Sequence, residues 1–150
     1  MEELFELRYY IEQQRYQDAL TLITEMEEMS REDKINKIYS FAEVLLLHLI
    51  KQAAENRTTR SWELSIKNAV RQIVRINSRR KSGGTYLDTK ELREIITDAY
   101  QPALERAALE TFEGRYDDHE LGTMVNQADL EQKVLLLIEA SQVEDVKRET

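Results

Sequence analysis

The sequence predicts an all-α fold, a single up-and-down bundle of five to six helices, and three observations predict it. Gly and Pro supply only 4 and 1 of 150 residues, too few for the turns that a β-protein needs. Apolar residues recur at three- and four-residue steps through most of the chain, which is the signature of a helix face. Charged residues make up 33% of the sequence, enough to solvate the outward faces of such helices. One domain, residues 1–150, is the default at this length. The absence of cysteine excludes disulfides, thiolate metal sites and a cysteine nucleophile, and it suits a reducing compartment.

Taken in order, Glu2–Gln14 carries Leu4, Leu7 and Ile11 on one side with Phe5 and Tyr9 beside them. Tyr16–Met29 follows with Tyr16, Ala19, Leu20, Ile23 and Met26 at helical spacing, so the two read as a helical hairpin. Ser30-Arg31-Glu32-Asp33 then looks like an N-cap, with a hydroxyl for a free amide and acids that complement the helix dipole. It is expected to start a central helix at about 35–54. There Ile35, Ile38, Tyr39, Ala42, Leu45, Leu46 and Leu49 share a face, while Phe41, Val44 and Leu47 fall outside it. Between Phe41 and Ile50 the circumference is therefore almost wholly apolar, interrupted by Glu43 and His48. Burying each large side chain stabilises by about 1.5–3 kcal/mol, so this helix must be covered on several sides. The uninterrupted apolar run, Val44–Leu47, is far short of the roughly 18–20 residues of a bilayer span, and no membrane association is expected.

The next helix begins near Arg60-Ser61-Trp62, with Thr59 or Ser61 as cap, and runs to Arg80. Trp62, Ile66, Ala69, Val70, Ile73 and Ile76 form its apolar face, and Lys67, Arg71, Arg75 and Arg79 form a basic ridge at four-residue intervals. Lys81-Ser82-Gly83-Gly84 reads as a turn; no strand feeds it and it lacks the lysine and spacing of a phosphate-binding loop. Asp88-x-x-Glu91 resembles a capping box that opens a long helix at about 88–113, on which Leu92, Ile95, Ile96, Ala99, Ala103, Leu104, Ala107 and Phe112 keep the period. Pro102 predicts a kink rather than a stop, because the apolar face continues in register, and Gly114 ends the helix. Arg115–Asn126 is polar and without a clear element. Asp129–Ala140 gives the last helix, and Ser141–Thr150 is expected to fray.

The run Glu43-Val-Leu-Leu-Leu-His-Leu-Ile-Lys51, then Arg60-Ser61-Trp62 with Ile66 and Arg71, then Ala99-Tyr100-x-Pro102-Ala103-x-x-x-Ala107, resembles DUF29, a bacterial family of uncharacterised proteins. The resemblance spans about residues 4–114 and thins over 115–150. It implies a helical bundle and brings no activity and no functional residues with it.

The chain carries a net charge of −8, unevenly placed. From Arg57 to Lys81 there are eight cations (Arg57, Arg60, Lys67, Arg71, Arg75, Arg79, Arg80 and Lys81) against Glu63 alone. That segment is +7 and the remainder −15. The ridge Lys67, Arg71, Arg75 and Arg79 is thus the candidate surface for an anion or a partner. His48 has no metal-binding companion at helical spacing, and Glu43 points about 140° away from it on a 3.6-residue helix. His48 is expected to be structural, hydrogen-bonded beside Trp62. Tyr116-Asp117-Asp118-His119-Glu120 has the donors of a cation site without the spacing of a calcium loop, so it reads as a solvated turn. No catalytic, cofactor-binding or metal-ligating set emerges, and no cofactor is expected. The expectation is a small soluble module without catalytic activity that binds another protein or regulates one. Nucleic-acid or other polyanion binding along the ridge of the 60–80 helix is the alternative, disfavoured by the acidic total. The oligomeric state is open. An acidic N-terminus, Met-Glu-Glu-Leu-Phe-Glu-Leu, lacks the pattern of a signal peptide, and a cytoplasmic location is expected.

Overall fold

A computed structural model describes residues 2–79 and 83–149, with the backbone alone for 146–149. Among the described residues there are six α-helices: α1 Glu2–Glu12, α2 Tyr16–Glu55, α3 Arg60–Asn77, α4 Thr89–Glu110, α5 Asp118–Gly122 and α6 Gln127–Glu149. A 3-10 turn, Phe112–Gly114, follows α4, and the described residues contain no strand, so the bundle is all-α. The chain divides into two compact units, Met1–Ile35 and Asn36–Thr150.

In the first unit α1 ends in a turn where Gln14 takes a left-handed φ of 58° and the Arg15 amide donates to the Tyr10 carbonyl at 2.7 Å. Among its described apolar side chains only Ala19 and Leu22 are buried, and none of α1 is. The expected helix start at Ser30 is overturned, because α2 continues from Tyr16 to Glu55 without a break. The Ser30 hydroxyl accepts from Lys34 Nζ at 3.0 Å, one turn on, instead of capping an amide. Nothing between Tyr16 and Glu55 is Gly or Pro, so no residue there opposes propagation.

The second unit holds the core. Ile38, Ala42, Leu45, Leu46, Leu47, Leu49 and Ile50 of α2 are all buried, as a helix apolar on every side requires. Covering it, α4 buries Leu92, Ile95, Ile96, Ala99, Tyr100, Ala103, Leu104, Ala107 and Ala108 and runs through Pro102 without ending. The Asp88–Glu91 capping box opens α4 as expected, but the helix stops at Glu110, before Gly114. Thr111 caps it, and Phe112 and Glu113 turn left-handed at φ 47° and 58°. A hydrogen bond from Thr97 to Glu131 ties α4 to α6. Gln101 Nε2 donates to Asp118 at 2.9 Å across to α5, where a Cβ on Gly122 would meet Leu104 at 3.3 Å. Gly122 is thus small because α5 lies against α4. The fraying expected after Ser141 is also corrected, since α6 continues helically to Glu149.

The α3 helix ends at Asn77, not at Arg80, and the reason is polar. Asn77 is fully buried; its Nδ2 donates to the Leu87 carbonyl at 3.3 Å and its Oδ1 accepts the Leu87 amide at 2.8 Å. Ser78 pairs with Thr85 in an isolated antiparallel bridge. The expected turn falls between these partners; its Lys81 and Ser82, like the charge of Arg80, lie outside the described residues. Asn77→Ala is expected to lower stability by about 1–3 kcal/mol, because it leaves the buried Leu87 amide unpaired, whereas the Leu87 carbonyl keeps the Thr85 hydroxyl at 2.8 Å. Urea unfolding checks this through a lower midpoint at unchanged slope.

Candidate functional site

Two places bring sequence-predicted residues together. The first lies where α2 ends and α3 begins. The Thr59 hydroxyl accepts the Trp62 amide at 3.0 Å and so starts α3, placing the half-buried Trp62 ring beside the end of α2. Lys51 Nζ sits 4.8 Å and the Arg57 guanidinium 4.6 Å from the ring centroid, so two cations share one aromatic. The Lys51 ammonium, on a residue only 7% exposed, also meets Glu110 Oε1 at 3.4 Å and fastens α2 to the end of α4. Arg106 and Glu43 repeat the α2–α4 link at 3.4 Å.

His48 is half-buried, one turn from Lys51 on α2. Its Nδ1 is buried and has no hydrogen-bond partner among the described residues, which corrects the expectation of a hydrogen-bonded ring. Burial lowers its pKa below the ordinary histidine value; the nearby Lys51 and, more weakly, Arg106 add to this, while Glu110 opposes them. The ring is therefore held neutral. No group of three or more metal-ligating side chains occurs among the described residues. In the Tyr116–Glu120 run, Asp117 accepts the Glu120 amide at 2.7 Å and Glu120 accepts the Asp117 amide at 3.3 Å, a capping box for α5.

The second place is a groove of about 720 Å³ between α3 and α6. Ile66, Val70, Val74 and Leu137 form its floor. Lys67, Arg71 and Arg75 line the α3 side and Glu144 and Asp145 the α6 side, and Ser78 and Ser141 also line it. All three cations are exposed, and none forms an ion pair with another described residue. Arg79, fourth of the expected ridge, is not on the helix; its guanidinium lies 5.6 Å from the Tyr86 ring centroid and its amide donates to the Gly84 carbonyl at 3.1 Å. Sequence reasoning missed the acidic rim, because Glu144 and Asp145 fall in a tail whose helical continuation carried no strong apolar period.

Since folding lowers the His48 pKa, the unfolded chain binds the proton more tightly than the native one. Stability is therefore expected to fall as pH drops below the ordinary histidine value of about 6.5. His48→Gln removes that part of the slope, and denaturant midpoints at pH values either side of it check the smaller difference.

A model of the family described as a domain of unknown function, DUF29, matches residues 9–121. The match begins within α1 and ends within α5, so it takes in α3 with its cations and leaves α6 outside. No curated protein and no solved structure matches the chain. With residues 9–121 of 150 matched, the chain belongs to the DUF29 family.

Proposed function

We propose that this chain is a non-catalytic protein-binding module of the cytoplasm, and that its receptor surface is the α3–α6 groove. One observation carries the reading: an apolar floor flanked by rims of opposite charge whose cations have no ion-pair partner among the described residues. An amphipathic helix supplies what such a groove lacks, apolar anchors at helical spacing and charges along its edges. The binding of a polyanion would draw phosphates toward Glu144 and Asp145 as well as toward the cations, and like charges disfavour it. Among the described residues no helix is long and apolar enough to cross a membrane, which agrees with a partner met in solution.

Capture from a native lysate, with wild type against the Arg71→Glu/Arg75→Glu double variant, tests the reading. A partner retained by the wild type and lost by the variant supports it; identical recoveries overturn it. Duplex and single-stranded probes are expected to give flat titrations even in dilute salt. If the three groove cations did contact phosphates, affinity would instead fall roughly 40-fold between about 50 and 200 mM salt, and nucleic acid would replace protein as the partner.

A further inference from the structure

The occupant of the groove has a counterpart in the first unit of the same sequence. There α1 is a short amphipathic helix with no fully buried residue: on its apolar face Leu4 and Ile11 are 47% and 49% exposed and Leu7 is half-buried. Leu4, Leu7, Arg8, Ile11 and Glu12 line a second, open concavity of about 390 Å³. A unit of 35 residues with two buried apolar side chains lacks the core that holds so short a segment, and covering α1 would supply what it lacks.

The charges of α1 are arranged as the groove needs them. At about 100° per residue, Leu4, Leu7 and Ile11 fall within an arc of about 60°. On one side of the arc's centre lie Glu3 and Glu6, at about 75° and 135°; on the other lies Arg8 at about 65°, with Glu12 further round at about 105°. An acidic edge of Glu3 and Glu6, an apolar face and a mixed edge of Arg8 and Glu12 thus follow one another around the helix. The groove presents Lys67, Arg71 and Arg75, then its apolar floor, then Glu144 and Asp145. One of the two polarities in which a helix can lie there sets Glu3 and Glu6 against the cations and Arg8 against the acids. Lengths agree as well: at 1.5 Å per residue, α1 extends about 16 Å and the groove wall from Ile66 to Arg75 about 15 Å.

We infer that the groove takes the α1 helix of a second copy of this chain, in a reciprocal pair in which each copy contributes one helix and one groove. The inference rests on the groove being a protein-binding surface and names its occupant. Pairing of one first unit with another is disfavoured, because ten acids against four bases leave each at −6.

Two full-length variants test it by sedimentation velocity. Glu3→Lys/Glu6→Lys reverses the acidic edge of α1, and Arg71→Glu/Arg75→Glu reverses the basic rim. Wild type is expected to shift from the mass of one chain toward that of two as concentration rises, and each variant alone to remain a single chain. In a mixture of the two variants both contacts regain opposite charges, so the two-chain species returns, which also shows that each variant is folded. A wild type that stays a single chain at every concentration overturns the inference, as does a mixture no more associated than its components. A lysate partner captured by that single-chain wild type and lost with Arg71→Glu/Arg75→Glu would leave the groove reading standing and remove only the second copy as its occupant.

Discussion

The second unit depends on one constraint: a helix that is apolar around its whole circumference has to be covered on every side. From Ile38 to Ile50, α2 offers no side on which water is tolerated at length, and the helices that follow it in the chain serve as its cover. The choice of which helix goes where is then made by the few polar residues that α2 cannot avoid. Glu43 faces Arg106 and Lys51 faces Glu110, both partners on α4, and Lys51 further meets the Trp62 ring at the start of α3. Hydrophobic burial is nondirectional, so it compacts the unit without specifying its arrangement. The Lys51 ammonium is directional, since a packing that removed both Glu110 and the Trp62 ring would leave a mostly buried charge without partners. Its net contribution to stability is smaller than its contribution to uniqueness, because the cost of drying Lys51 offsets much of what the contacts return.

The same constraint separates the features that hold the fold from those that can serve a partner. His48, Lys51 and Trp62 are the most distinctive residues of the sequence, yet Lys51 turns to the Trp62 ring and to Glu110, and His48 lies half-buried one turn before it on α2. The buried Nδ1 of His48 has no hydrogen-bond partner among the described residues, and burial favours the neutral form of the ring. The groove between α3 and α6 is the reverse case. Its floor residues Val70 and Val74 belong to the core, while its rim residues Lys67, Arg71, Arg75 and Glu144 are exposed.

How much of this was legible follows from which interactions are local. The Asp88–Glu91 box, the Thr59 cap and the apolar faces of α3 and α4 arise within one or two helical turns, and short-range pattern reading recovers them. Ser30 shows the limit of the same reasoning. A Ser followed by acids is a helix start only if the preceding residues leave the helix, and with no Gly or Pro before it the chain had no cause to do so. Asn77 shows the opposite failure: an asparagine near a helix end is unremarkable in sequence, and its role depends on Leu87, ten residues on and across a turn. The basic ridge was read as four equal members, but the clamp at Asn77 ends the helix and releases Arg79 to Tyr86. The acidic rim was invisible because its membership in a groove is a tertiary fact.

That partition bears on where recognition can be altered without loss of fold. A substitution at Val70 or Val74 changes the groove and the core together, so lost binding there would not separate a docking defect from a packing defect. The rim differs, since exposed charges without ion-pair partners contribute little to folding, and reversing them changes mainly the electrostatic field that a docking helix meets. The net charge of −8 then has a physical consequence for specificity. An acidic chain with an isolated basic segment repels most acidic surfaces at long range, including most of its own, and accepts one only where an apolar face arrives in register with the cations. In the proposed docking, shape and apolar contact would therefore hold the bound state, with charge selecting which helices reach it.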